Sequence, residues 1–138
     1  MTSTKNKFVL SIDQGTTGTT VMIFDKSGKI LSKINKTLKQ YYPKPGWVEH
    51  NPTEIWNTTL SAISEAVEAS KINATNIVAI GITNQRETTV MWDKTNGKPI
   101  YNAIVWQCRR TAPLCDTLKK EGMEKVIKSK TGLVIDAY

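Results

Sequence analysis

Apolar residues in this chain come in short blocks divided by polar turns, and the blocks change period along the chain. Phe8-Val9-Leu10-Ser11-Ile12, preceded by Lys7, is a strand-sized run that ends in Asp13-Gln14-Gly15-Thr16-Thr17-Gly18-Thr19-Thr20. Val21-Met22-Ile23-Phe24 is a second run, closed by Asp25-Lys26-Ser27-Gly28, a turn whose glycine accepts positive φ. Ile30, Ser32, Ile34 and Lys36 then share one face by period-two alternation, blurred by Leu31. Strands joined by such short connections predict an antiparallel meander.

The period then changes. Tyr41 to His50 carries two prolines and a glycine among aromatics, which predicts an ordered, irregular loop. Asn51 is suited to cap a helix, Pro52 to its first position, and Glu54 completes a capping-box arrangement. Trp56, Leu60, Ile63 and Val67 repeat at helical spacing and predict an apolar stripe ending near Ser70. Ile77-Val78-Ala79-Ile80-Gly81-Ile82 is apolar throughout, as in a strand covered on both faces after a crossover helix. Thr89 to Trp92 and Ala103 to Trp106 read as further strands around an Asn96-Gly97 turn. Thr111 is placed to cap a helix bearing Leu114 and Leu118, and a last helix with Met123, Val126 and Ile127 ends at Thr131-Gly132.

Composition narrows the class. In 138 residues there are 8 Gly, 5 Pro and 2 Cys, which excludes collagen-like, low-complexity and disulfide-dense chains. No apolar run reaches membrane-spanning length. The first seven residues lack an apolar core, so no secretory signal is read there and a cytoplasmic location is expected. Cys108 and Cys115, seven apart, fit neither a metal pair nor a CxxC, and are expected to be reduced structural thiols; two turns of helix would put them on one face. The net charge of +7 is spread over lysines from Lys26 to Lys39 and over the C-terminal third. Such spacing fits solvated faces or an anionic, phosphorylated ligand, and it lacks the aromatic interleaving of a nucleic-acid platform.

Three segments carry candidate chemistry. In Asp13-Gln14-Gly15-Thr16-Thr17, Gly15 lets the backbone turn, Thr16 and Thr17 offer donors to phosphate oxygens, and Asp13 can hold Mg2+ through water. A plain polar hairpin is the alternative reading, since no Walker A or GxGxxG pattern is present. Asn84-Gln85-Arg86-Glu87 follows the apolar strand, where α/β proteins place ligands. Arg86 donates and Glu87 accepts, which suits vicinal hydroxyls, although a surface ion pair uses the same two groups. Trp106 and Tyr138 can cover the carbon chain of a polyol; a strand Trp is also a core residue, and Trp47, Trp56 and Trp92 are assigned to packing. His50 is read as a hydrogen-bonding scaffold residue.

Taken together, Asp13 to Thr17, Tyr42 to His50, Ile80 to Thr89 and Gly97 to Thr111 closely resemble the N-terminal part of the FGGY carbohydrate kinases, and the last two stretches resemble its glycerol-phosphorylating members. The resemblance runs nearly end to end. It implies an α/β fold of the ribonuclease-H-like (actin-like ATPase) class: a mixed sheet with flanking helices, residues 1–138 forming an incomplete first lobe, and the second lobe absent. It implies ATP and Mg2+ as cofactors and transfer of the ATP γ-phosphoryl to glycerol. Asp13 would lie near the metal, with Gly15, Thr16, Thr17, Gly18 and Thr20 at the terminal phosphates. Arg86 and Glu87 would hold glycerol hydroxyls, with Trp106 against the carbon chain and Tyr138 closing the pocket. The general base and the adenine site would lie beyond Tyr138, so the chain alone is expected to be inactive.

Thr20 stands where family members commonly carry arginine, and Asp136-Ala137-Tyr138 replaces the familiar Asp-Pro-Tyr, which frees an N–H and relaxes φ. A non-catalytic polyol-binding or interaction module of the same fold is the alternative. A nuclease on such a sheet would need converging carboxylates, for which Glu54, Glu65 and Glu68 are poorly spaced. Strands awaiting cover from later residues predict exposed apolar surface and self-association into a homo-oligomer.

Overall fold

A computed structural model describes residues 7–138. The stretch on which the secretory-signal reading rests, residues 1–6 above all, lies outside them. No helix among the described residues is long and apolar enough to cross a membrane. The described residues divide into two compact units, 7–39 with 51–86 and 40–50 with 87–138.

In the first unit, strands β1 (Phe8–Gln14), β2 (Gly18–Asp25) and β3 (Ile30–Thr37) form the predicted antiparallel meander. Helix α1 (Pro52–Ser70) crosses over to β5 (Ile77–Asn84), which pairs parallel to β1, so the sheet order is β3-β2-β1-β5. The Asn51 carboxamide accepts from the N–H groups of Thr53 and Glu54 at 2.9 and 3.4 Å, satisfying donors that the first helical turn leaves open. The core unites Phe8, Leu10, Ile12, Val21 and Ile23 with Ala62 and Ala66 of α1. Each fully buried Leu or Ile stabilises this layer by about 1.5–3 kcal/mol.

The helix face differs from the expected stripe. Ile63 and Val67 pack against the core, but Trp56 is 62% and Leu60 44% exposed. Ala62 and Ala66 set the contact instead, because only small side chains let helix and sheet approach closely enough for the Ser32 hydroxyl to donate to the Ala66 carbonyl at 2.8 Å. In β3 the register slips between Ile23 and Phe24, skipping Leu31; Leu31 packs inward and Ile30 turns out. Strand β5 is not covered on both faces: Val78, Ile80 and Ile82 are 58–70% exposed. It is an edge strand, and α1 is engaged over β2 and β3.

In the second unit, β4 (Glu49–His50) pairs antiparallel with β6 (Ala103–Ile104). The two expected longer strands shrink to β6 and the isolated bridges Thr89–Ile104 and Trp92–Pro99. Gly97, at φ 71°, makes the turn that closes the 93–98 loop. Trp92 is 62% exposed, so it joins Trp56 as an indole wrongly assigned to packing. Helices α2 (Ala112–Lys120) and α3 (Glu124–Thr131) follow, and Gly132 ends α3 in the left-handed conformation, as expected. Thr111 sits at the start of α2 but makes no side-chain cap bond. Both cysteines are free thiols; Cys108 precedes α2 and Cys115 lies on it, so no shared helical face joins them.

Candidate functional site

The β1–β2 connection is a tight hairpin in which the Gly15 N–H donates to the Gly18 carbonyl at 2.9 Å and the Leu38 N–H to the Thr17 carbonyl at 2.9 Å. Asp13 pairs in register with Thr20 on β2 and Thr83 on β5, and its side chain is exposed. Thr17 is exposed, Thr16 and Gly18 are half-buried, and the Thr20 hydroxyl accepts from the Asn35 amide at 2.8 Å. The glycine that geometry demands is not the expected one. Gly15 lies outside the left-handed region, and a Cβ there would sit 3.4 Å from the Gly18 oxygen, an ordinary contact. At Gly18 a Cβ would fall 2.4 Å from the Lys36 carbonyl oxygen, a backbone atom that cannot swing aside. Gly18→Ala is therefore expected to push β2 from β3 and cost about 1–3 kcal/mol, as overpacking does. Urea unfolding checks this, and an unchanged midpoint would sink it.

The second segment leaves β5. The Gln85 N–H donates to the Gln14 carbonyl at 2.8 Å, extending the β1–β5 ladder by one bond and fixing where Arg86 emerges. Gln85 is buried while Arg86 and Glu87 are exposed. Glu87 has φ 51°, a left-handed conformation uncommon for a residue with a side chain. Lys71, the other such residue, ends α1, where this conformation is routine. Strain of this kind outside a helix cap concentrates at functional positions.

In the second unit the chain brings Trp106 and Tyr138 together, with ring centroids 5.4 Å apart and planes tilted by 56°. Trp106 is half-buried and follows β6 in a turn rather than ending a strand. The second unit also holds a network that sequence reasoning missed. Buried Glu49 accepts from Arg110 at 2.6 Å, from Asn102 at 3.0 Å and from the Tyr101 hydroxyl at 3.1 Å. The Arg110 side chain is only 12% exposed; its guanidinium carbon lies 3.8 Å from the Trp47 ring centroid, and its Nε donates to Cys108 Sγ at 2.9 Å. Burial pushes the Glu49 carboxyl up, but the three hydrogen bonds and the Arg110 charge hold it below its ordinary value. Burial also raises the Cys108 thiol, and the Val48 N–H and Arg110 outweigh that and lower it. His50 is buried and its pKa is lowered by desolvation, which keeps it neutral and suits a scaffold role. The only available signal was position: Glu49 and Arg110 both fall inside stretches already singled out, yet charge in a sequence reads as surface.

Glu65, one of the carboxylates considered for metal chemistry, is engaged by Lys36 at 2.5 Å and by the Ser61 hydroxyl at 3.0 Å. Trp47 does pack, beneath Arg110 and within 4.9 Å of the Lys44 ammonium.

Residues 8–138 match the sequence profile of the N-terminal domain of the FGGY family of carbohydrate kinases. The chain is 61% identical over 132 residues to a glycerol kinase of Thermoanaerobacter pseudethanolicus, covering 96% of this chain and 27% of that protein. It is 58% identical to glycerol kinase 2 of Thermotoga maritima, with the same coverage. Among solved structures, Plasmodium falciparum glycerol kinase with ADP superposes with a TM-score of 0.87 at 38% identity, over 96% of this chain and 27% of that one. Gluconate kinase of Lactobacillus acidophilus shares the fold, with a TM-score of 0.85 at 24% identity over 95% of this chain and 26% of that one. The chain thus spans about a quarter of the length of the relatives it matches.

Proposed function

Because the chain belongs to the FGGY family of carbohydrate kinases, we propose that it is the N-terminal part of a glycerol kinase, acting in the cytoplasm as part of the first of two lobes. The likeness to glycerol kinases across nearly the whole chain carries this reading. The left-handed Glu87 within the Gln-Arg-Glu segment supports it independently.

In this reading Arg86 donates to glycerol hydroxyls and Glu87 accepts from them, an alternation of roles that a 1,2-diol satisfies with both its protons and its lone pairs. Trp106 and Tyr138 supply apolar surface to the carbon chain. Gly15, Thr16, Thr17 and Gly18 present backbone and hydroxyl donors to the terminal phosphates of ATP. Thr20 is committed to Asn35 through its hydroxyl, so it contributes to the shape of the hairpin more than to charge. Asp13, an exposed carboxylate at the end of β1, fits Mg2+, which takes one or two carboxylates together with substrate phosphates. Bound there, the ion would neutralise charge on the transferring group. The chain's own contribution is to orient the groups that each segment binds, and positioning with charge neutralisation is most of what phosphoryl transfer requires.

The test is calorimetry with glycerol on the whole polypeptide that carries these residues. Arg86→Ala is expected to weaken binding by at least about tenfold, because two charge-assisted donors are lost; equal heats for wild type and variant would remove the pocket assignment. The 138 residues alone are expected to turn over no ATP in a coupled assay with glycerol, and turnover free of host kinase would show that these residues supply the general base themselves. The non-catalytic module predicts binding without turnover in the whole polypeptide as well.

A further inference from the structure

Trp106 and Tyr138 lie in separate segments of the second unit, and burial is not what holds Tyr138 in place, since it is 56% exposed. The link between the two segments is polar. The Arg109 backbone N–H donates to the Gly46 carbonyl at 2.7 Å, which anchors the stem of this residue in the 40–50 loop. Its guanidinium reaches Asp136, with Nη1 2.6 Å from Oδ1 and Nη2 3.4 Å from Oδ2. The same Oδ1 accepts from the Tyr138 backbone N–H at 3.0 Å. One carboxylate oxygen therefore joins the guanidinium to the amide of the aromatic residue, and Ile135, one position before Asp136, is buried. Arg109 itself stands three positions after Trp106.

We propose that Arg109 and Asp136 are a positioning pair: they set the Tyr138 ring against Trp106 and so determine how firmly the carbon chain of a small polyol is gripped. This rests on the glycerol kinase reading given above. The ion pair is too open to matter much to the fold, with its side chains 52% and 39% exposed, and exposed pairs contribute little to stability. Its effect falls on the placement of an aromatic wall. A three-carbon polyol has few atoms with which to bind, so losing one wall should show in affinity before it shows in chemistry. The turn that Asp136 makes with Tyr138 also substitutes for the rigidity that proline at position 137 would supply, which makes the pair more important in this chain.

The experiment uses the whole polypeptide carrying these residues. Arg109→Gln is expected to raise the glycerol KM about 5- to 20-fold with kcat changed less than about twofold. Asp136→Asn, which keeps an acceptor for the Tyr138 N–H, should have a smaller effect in the same direction, and Arg109→Lys, which keeps charge without the fork, should fall between wild type and Arg109→Gln. The double variant should be no worse than Arg109→Gln, since both remove one interaction. Melting temperatures should stay within about 2 °C. Nuclear Overhauser contacts between the Tyr138 and Trp106 rings should disappear in Arg109→Gln. Retained ring contacts, additive effects on KM, or lost contacts with an unchanged KM each overturn the proposal. A wild-type polypeptide that does not phosphorylate glycerol overturns the functional reading instead, and the ring contacts then still decide whether the pair positions Tyr138.

Discussion

Replacing Arg110 by alanine is expected to cost about 3–5 kcal/mol of stability, the penalty for leaving one member of a buried ion pair alone. The Glu49 side chain is 4% exposed, so once Arg110 is gone its charge has no water to turn to. Glu49→Gln should cost less: it leaves the Arg110 charge without its counter-ion, but the guanidinium keeps the Trp47 ring and one amide oxygen as partners. The pH dependence carries a sign. With the folded Glu49 pKa held below its ordinary 4.5, the stabilisation is fully present above about pH 4.5 and is lost as pH falls through the lower folded value. His50 adds an earlier step: its folded pKa lies below its ordinary 6.5, so the unfolded chain takes up the proton first and stability begins to fall below about pH 6.5. Asp25, Asp93 and Asp136 are also lowered by their hydrogen bonds and share the acid window, so Glu49→Gln should shrink the lower step without abolishing it. Denaturant melts across pH 3–8 check both parts, and a loss under about 1 kcal/mol for Arg110→Ala would mean that water reaches the pair.

Asp13→Asn is expected to lower the rate of ATP-dependent glycerol phosphorylation by the whole polypeptide about 1000-fold, the scale on which charge neutralisation at a transferring phosphoryl operates. Glycerol binding should be unchanged, because Asp13 belongs to the β1–β2 hairpin and the hydroxyl ligands assigned above do not. Stability should hardly change, since the side chain is exposed and asparagine keeps its shape. Asp13 is the one carboxylate between Phe8 and Phe24, so no neighbour in that hairpin can take its place. A kcat reduced less than tenfold would remove Asp13 from the phosphate chemistry.

The parts of this fold that were legible in the sequence are those decided locally. The β1–β2–β3 meander, the Asn51 cap with Pro52 behind it, and the Gly132 stop all follow from backbone preferences acting within a few residues. What escaped was decided at a distance. Trp56 and Leu60 look like core on a helical wheel, but the helix meets its sheet through alanines, and only the sheet determines that. The apolar run on β5 expresses a need for cover and cannot say which residues supply it. The candidate site divides in the same way. The motif residues could be named from their chemistry, whereas the Glu49–Arg110 network and the Arg109–Asp136 pair could not, because adjacent arginines have identical chemistry and only packing makes one buried and the other open.

The uncovered row on β5 also bears on how such a polypeptide survives its own synthesis. An edge strand that shows Val78, Ile80 and Ile82 to water offers open backbone donors and acceptors beside apolar side chains, which is what a second nascent chain needs in order to pair wrongly. Domains emerge from the ribosome at about 5–20 residues per second. While that row stands open, encounters with neighbouring nascent chains work against the molecule, and chaperones that hold apolar strands have a target in it.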